Sequence, residues 1–172
     1  MRDTVWLVGM MGAGKSAVGA LLAARLARPL LDLDREIERS AGRSIPELFA
    51  SEGEAGFRKR EREAIEAVAG QRAVVALGGG AAAQPGAAQR LLASGTLVYL
   101  RARVETLAAR IGDGAERPLL AGLGPEARLA KLRSLLAERE PAYLRASVVV
   151  DTDALDAERI AALVERRLGA AR

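Results

Sequence analysis

Three features of this 172-residue chain predict an α/β fold. Short apolar runs alternate with longer stretches whose apolar residues recur at about every 3.6 positions. The first apolar run leads directly into a glycine-rich loop and then a helix. No long linker, internal repeat or low-complexity tract divides the chain. The expected architecture is a three-layer α/β/α sandwich on a mainly parallel five-stranded sheet, as one domain over residues 1–172.

The elements follow in order. "TVWLV" reads as a buried strand and "SAVGALLAARLA" as a helix. "PLLDLD" is a second short strand. "DREIERSAG" is a short helix closed by Gly42. "SIPELFASEGEAGF" opens with Ser44 and has Glu47 three residues on, a capping box. "RKREREAIEAVA" is a highly charged helix. "RAVVAL" is a strand ended by Gly78, Gly79 and Gly80. "PGAAQRLLAS" is a helix, "TLVYL" a strand and "VETLAARI" a helix. "GDGAERPLLAGLGP" carries four glycines and two prolines without periodicity, so it reads as a mobile loop. "EARLAKLRSLLAERE" is a helix stopped by Pro141. "SVVV" and "DAERIAALVERRLG" supply the last strand and helix.

Composition excludes several chemistries. The chain has no cysteine and no histidine, so disulfides, thiolate or imidazole metal sites and histidine acid–base catalysis are absent. Proton transfer must fall to Asp or Glu. No apolar run reaches the roughly 18–20 residues of a membrane helix, and the N-terminus is too short in its apolar part for a signal peptide. A cytoplasmic location and no membrane partner are expected. The net charge of +4 favours anionic partners. That charge is interleaved with acids along the chain, and the five aromatics form no stacking platform, so nucleic acid is not expected.

Three lysines stand against 23 arginines, and one of the three is Lys15 in "GMMGAGKS", Gly9 to Ser16. Gly9-x-x-x-x-Gly14-Lys15-Ser16 is the full P-loop pattern, with a strand before it and a helix after. Phosphate oxygens must approach several backbone N–H groups at once, which glycine permits. The following helix aims its N-terminal dipole at the anion. Lys15 reaches the phosphates as a compact charge, where the wide guanidinium fork would not fit. Ser16 offers a hydroxyl ligand to Mg²⁺. The triphosphate site takes in Gly12, Ala13, Gly14, Lys15, Ser16 and Ala17. The fold is therefore of P-loop kinase type, a class that needs an acceptor pocket, a base and a lid.

"LDLD" places Asp32 and Asp34 at the end of the second strand, where spacing of two sends both side chains to one side. Strand C-terminal ends face the ligand crevice in such sheets. One carboxylate can serve Mg²⁺ and the other an acceptor hydroxyl. Asp34 can equally be an N-cap for the helix after it.

These residues carry a resemblance to the shikimate kinase family over essentially the whole chain. "GMMGAGKS", "LDLD", "FRKRE", "LGGG", "ERPLL" and "REPAY" fall in that family's order and at similar spacing. The resemblance implies transfer of a phosphoryl group from ATP to the 3-hydroxyl of shikimate, in the route to chorismate and the aromatic amino acids. It implies that Asp34 binds the acceptor hydroxyls and helps take the proton, and that Asp32 lies near Mg²⁺. Arg58 and Arg139 would clamp the substrate carboxylate, a role suited to the bidentate guanidinium. Gly79 and Gly80 would present backbone N–H groups. Ile45, Phe49 and Phe57 would wall the ring within an acceptor segment at about 34–61. Arg117, in a lid at about 112–124, would neutralise charge on the transferring group. Arg110 would lie against adenine, whose other face meets the loop "DTDALDAE". That loop lacks the Asn, Arg or Pro the family often has there. A monomer is expected.

Each residue also has a plain alternative. Arg58 lies in a charge run that can be a solvated helix face. Arg139 suits a helix C-terminus. Phe49 and Phe57 can be ordinary core, Arg117 one more loop charge, and Gly78–Gly80 a turn. Rival functions are another small-acceptor kinase, such as a gluconate or nucleoside monophosphate kinase, a regulatory ATP-binding relative without catalysis, and a nucleic-acid-dependent ATPase.

Overall fold

The computed structural model describes residues 4–114, 117 and 119–170. Residues 115, 116 and 118 of the expected lid lie outside that set, as do both chain ends of the expected domain. The elements are β1 (Thr4–Val8), α1 (Lys15–Leu26), β2 (Leu30–Asp32), α2 (Leu33–Ala41), α3 (Ile45–Val68), β3 (Val74–Ala76), a 3₁₀ turn (Ala81–Ala83), α4 (Ala87–Ser94), β4 (Gly95–Arg101), α5 (Val104–Ile111), α6 (Pro125–Tyr143), β5 (Val148–Asp151) and α7 (Ala157–Ala170).

The five strands form one sheet in the order β2-β3-β1-β4-β5, and every pairing is parallel. Both central strands β1 and β3 are buried along their whole length, which is why "TVWLV" and "VVA" are continuous apolar runs rather than alternating ones. α1 packs against α7. Right-handed crossovers put α1 on one face of the sheet and α4 to α6 on the other. The core runs through the sheet from Trp6, Leu7 and Leu22 to Leu97, Tyr99 and Tyr143. Because β1 has neighbours leading in opposite chain directions, the loops after β1, β2, β3 and β4 open into one crevice.

Three expected boundaries differ. β2 ends at Asp32, not Asp34. Asp32 caps α2 by accepting the Arg35 amide at 3.4 Å, so the helix begins at Leu33 and Asp34 sits in its first turn. The two carboxylates are thus not a strand pair, and the cap is Asp32 rather than Asp34. Next, "SIPEL" through "EAVA" is one element, α3, with a kink at Gly53, whose φ of 69° only glycine adopts readily. Its start carries the expected capping box: the Ser44 amide donates to Glu47 at 2.7 Å. Finally, α6 does not stop at Pro141 but continues to Tyr143. Proline removes one helical N–H bond. The turn continues because Tyr143 is fully buried and the Leu144 amide still bonds the Glu140 carbonyl at 2.9 Å.

Candidate active site

The loop between β1 and α1 has the geometry of an anion cradle. Gly12 and Gly14 have φ of 81° and 91°, and Gly14 is the N-cap of α1. Lys15 Nζ donates to the carbonyls of Gly9 at 2.8 Å and Met10 at 3.0 Å, which stretches the side chain back over the loop. Burial lowers its pKa to about 8, partly opposed by Asp34 and Asp32. A polyphosphate at this position would add to the counter-charge of Asp34 and Asp32. Ala13 is buried beneath the loop, and Ser16 and Ala17 are exposed at the helix start.

Ser16 Oγ lies 3.4 Å from Asp32 Oδ2. This hydroxyl and carboxylate are hard oxygen donors at the mouth of the phosphate loop. Among the described residues no cluster of three or more acids forms a cage for a metal. A pair of protein oxygens, completed by phosphate and water, suits Mg²⁺, which is rarely held by protein alone.

The acceptor side is built on the three glycines after β3. A Cβ on Gly78 would stand 2.7 Å from Asp34 Oδ1 and 3.3 Å from Glu61 Oε1. One on Gly79 would stand 3.1 Å from Arg139 Nη1, and one on Gly80 only 2.6 Å from Arg58 Nη2. Four charged side chains from α2, α3 and α6 therefore converge on one strip of backbone that has no side chains to hold them off. Burial, reinforced by Asp32, raises the Asp34 carboxyl above its ordinary range, while Lys15 and Arg117 pull it down. Arg117 is exposed, yet its charge acts on both Lys15 and Asp34. Its amide donates to the Gly114 carbonyl at 2.9 Å, and Leu120, within the expected lid, is fully buried.

Arg58 is not a solvated charge: its side chain is 14% exposed and donates to Glu61 at 2.9 Å. Glu61 is 2% exposed, and burial raises its pKa against the pull of Arg58. Arg58 also stacks over Phe57, 5.4 Å from the ring centre. Phe57 is buried and pairs with the partly exposed Phe49 at 4.6 Å, so the two phenylalanines form one wall. Ile45, half-buried, starts α3, its amide bonded to Glu38 at 2.9 Å. Arg139 is buried in α6, not a free charge at a helix end.

On the nucleotide side, Arg110 donates to the carbonyl of Thr152 at 2.6 Å, to its hydroxyl at 3.1 Å and to the Gly12 carbonyl at 3.5 Å. It thereby ties the phosphate loop to the loop after β5. A cavity of about 240 Å³ opens there between Gly14, Val18, Arg110, Leu155 and Ile160. Leu155 provides the apolar wall in the divergent loop.

Glu61, Tyr143, Thr152 and Leu155 were not singled out from the sequence. Glu61 and Tyr143 had a readable signal, at i+3 from Arg58 and i+4 from Arg139, the spacings that share a helix face. Thr152 and Leu155 lie in "DTDALDAE", the loop expected beside adenine, but nothing in the sequence picks them out within it.

A family model for shikimate kinase matches residues 11–168. The chain is 44% identical over 167 residues to a shikimate kinase of Chlorobium chlorochromatii, covering 94% of this chain and 86% of that protein. The structure superposes with a TM-score of 0.91 on shikimate kinase from Acinetobacter baumannii in complex with shikimate, at 38% identity, covering 100% of this chain and 96% of the other. A gluconokinase from Sinorhizobium meliloti reaches a TM-score of 0.60 at 18% identity over 98% and 96% of the two chains, a likeness of fold alone. By the family model and by these relatives, this chain belongs to the shikimate kinase family.

Proposed function

We infer that this chain transfers the γ-phosphoryl group of ATP to the 3-hydroxyl of shikimate. The observation that carries the reading is the convergence of Asp34, Arg58 and Arg139 on Gly78–Gly80, beside Lys15. Two arginines suit a carboxylate read bidentately, and a carboxylate with a raised pKa suits a hydroxyl that must lose its proton. The Phe49–Phe57 pair suits the apolar face of a six-membered ring. A gluconate-type acceptor has no ring for that wall, and a regulatory binder of ATP needs no base.

In this reading, the backbone of residues 12–17 holds the triphosphate and Lys15 moves from the loop carbonyls to the phosphate oxygens. Ser16 and Asp32 hold Mg²⁺, which when bound offsets charge on the β- and γ-phosphates. Arg58 and Arg139 fix the acceptor by its carboxylate, with Gly79 and Gly80 offering N–H groups. Asp34 orients the 3-hydroxyl and accepts its proton. The lid at 112–124 closes, brings Arg117 to the transferring group and excludes water. Arg110 and Leu155 flank the adenine. The enzyme works as a cytoplasmic monomer on small molecules, with no nucleic acid or membrane partner.

The test is ADP release from MgATP with shikimate, quinate, gluconate, a nucleoside monophosphate or no acceptor. A signal that needs shikimate and disappears in Asp34→Asn supports the reading. Release indifferent to acceptor would make the chain an ATPase.

A further inference from the structure

The last turn of α6, beyond Pro141, carries Tyr143 into the site from behind. Tyr143 is fully buried, and its hydroxyl donates to the carbonyl of Gly79. Arg139, one turn earlier on the same helix face, lies near enough for its charge to pull the phenol down against burial. Gly79 in turn touches Arg139: a Cβ there would stand 3.1 Å from Nη1 and 3.7 Å from the Tyr143 hydroxyl. The ring cannot drift. It packs on Tyr99 with centroids 5.0 Å apart, and the Tyr99 hydroxyl donates to Glu140 at 3.1 Å, which pins Tyr99 to α6 next to Arg139.

We propose that Tyr143 is a positioning residue for acceptor binding. Its hydroxyl fixes the Gly79–Gly80 peptide plane, against which the Arg139 guanidinium lies, so that the guanidinium and the Gly80 N–H meet the acceptor carboxylate and hydroxyls together. The chemistry is that of a phenol with one donor and two acceptor positions. The donor goes to the Gly79 carbonyl, and the Arg139 guanidinium packs beside the same glycine. Phenylalanine would keep the packing on Tyr99 and remove the bond to Gly79. Burial pushes the phenol up to about 12, so it remains a donor throughout the working range.

This rests on the shikimate reading above, and the experiment separates the two. Binding of shikimate and of shikimate methyl ester is measured by calorimetry on wild type and Tyr143→Phe, with ADP affinity, melting temperature, KM and kcat alongside. Wild type should bind shikimate and strongly prefer it to the ester. Tyr143→Phe should bind shikimate about tenfold more weakly and raise its KM in step. It should lose much of the preference over the ester while keeping ADP affinity and kcat near wild type, with the melting temperature lowered by only a few degrees for the unpaired Gly79 carbonyl. Unchanged shikimate binding in Tyr143→Phe overturns the positioning role alone. So does parallel weakening of shikimate, ester and ADP with a lowered melting temperature, because that marks a purely structural tyrosine. Wild type that binds no shikimate overturns the acceptor reading and this role with it.

Discussion

Glu61 Oε2 holds Arg58 Nη1 at 2.9 Å, three residues along α3, and the carboxylate is almost completely buried. The pair is a rigid unit, with Phe57 beneath the guanidinium and Gly80 in front of it. The carboxylate fixes where the arginine points, and the fork is left facing the acceptor side.

Glu61→Gln keeps the shape and removes the charge. It should weaken shikimate binding about tenfold, or ~1.4 kcal/mol. ADP affinity should be unchanged, because the nucleotide loop lies on β1. Parallel titrations of the two ligands check this. Loss of ADP affinity by the same factor would show that the pair supports the fold and not the acceptor.

Gly80→Ala places a methyl group 2.6 Å from Arg58 Nη2. Gly80 has φ of −90°, so the backbone tolerates alanine and the effect is steric alone. The guanidinium must move off its Glu61 bond, at roughly 1–3 kcal/mol. The KM for shikimate should rise at least about fivefold, with the KM for ATP unchanged. Arg58→Ala in the same background should relieve the clash, so the two substitutions should be strongly non-additive.

Asp34→Asn should lower kcat by roughly 10²–10⁴ with the fold intact. The Asp34 carboxyl is raised by burial and by Asp32, so the acid limb of the wild-type rate profile should lie above the ordinary carboxylate range. Residual activity of the Asn variant should lose that limb. A kcat near wild type with only KM raised would leave Asp34 as a binding group.

Lys15 gives a pH dependence whose sign is fixed. Its pKa is about 8, below the ordinary 10.5, because of burial. A bound triphosphate raises it. Nucleotide binding therefore takes up a proton above pH 8, and affinity should fall by up to about tenfold per pH unit there. Calorimetry at pH 8.5 in two buffers of different ionisation enthalpy measures the uptake, which should vanish in Lys15→Ala. The same shift means that this lysine's contribution to folding stability rises between pH 8 and 10.5, as the buried ammonium sheds its charge.

The sequence by itself determined what is local. Alternating apolar runs fixed five strands and their helices, because burial on both faces of a parallel sheet demands continuous apolar residues. The phosphate loop was legible because its glycines, lysine and serine are consecutive. Boundaries failed where a neighbour decided them: Asp32 took the cap that ended β2, and buried Tyr143 carried α6 past Pro141. Asp34 was offered as an acceptor carboxylate by the "LDLD" spacing, whereas Arg58, Gly79, Gly80 and Arg139 were offered only by the resemblance, since they lie far apart in the chain. Only the tertiary structure decided that Arg58 is paired rather than solvated, that Arg110 joins two loops, and that Glu61 and Tyr143 stand behind the arginines. The physical reason is that a side chain's charge, burial and partner are set by what packs against it, and that contact joins residues far apart in the chain.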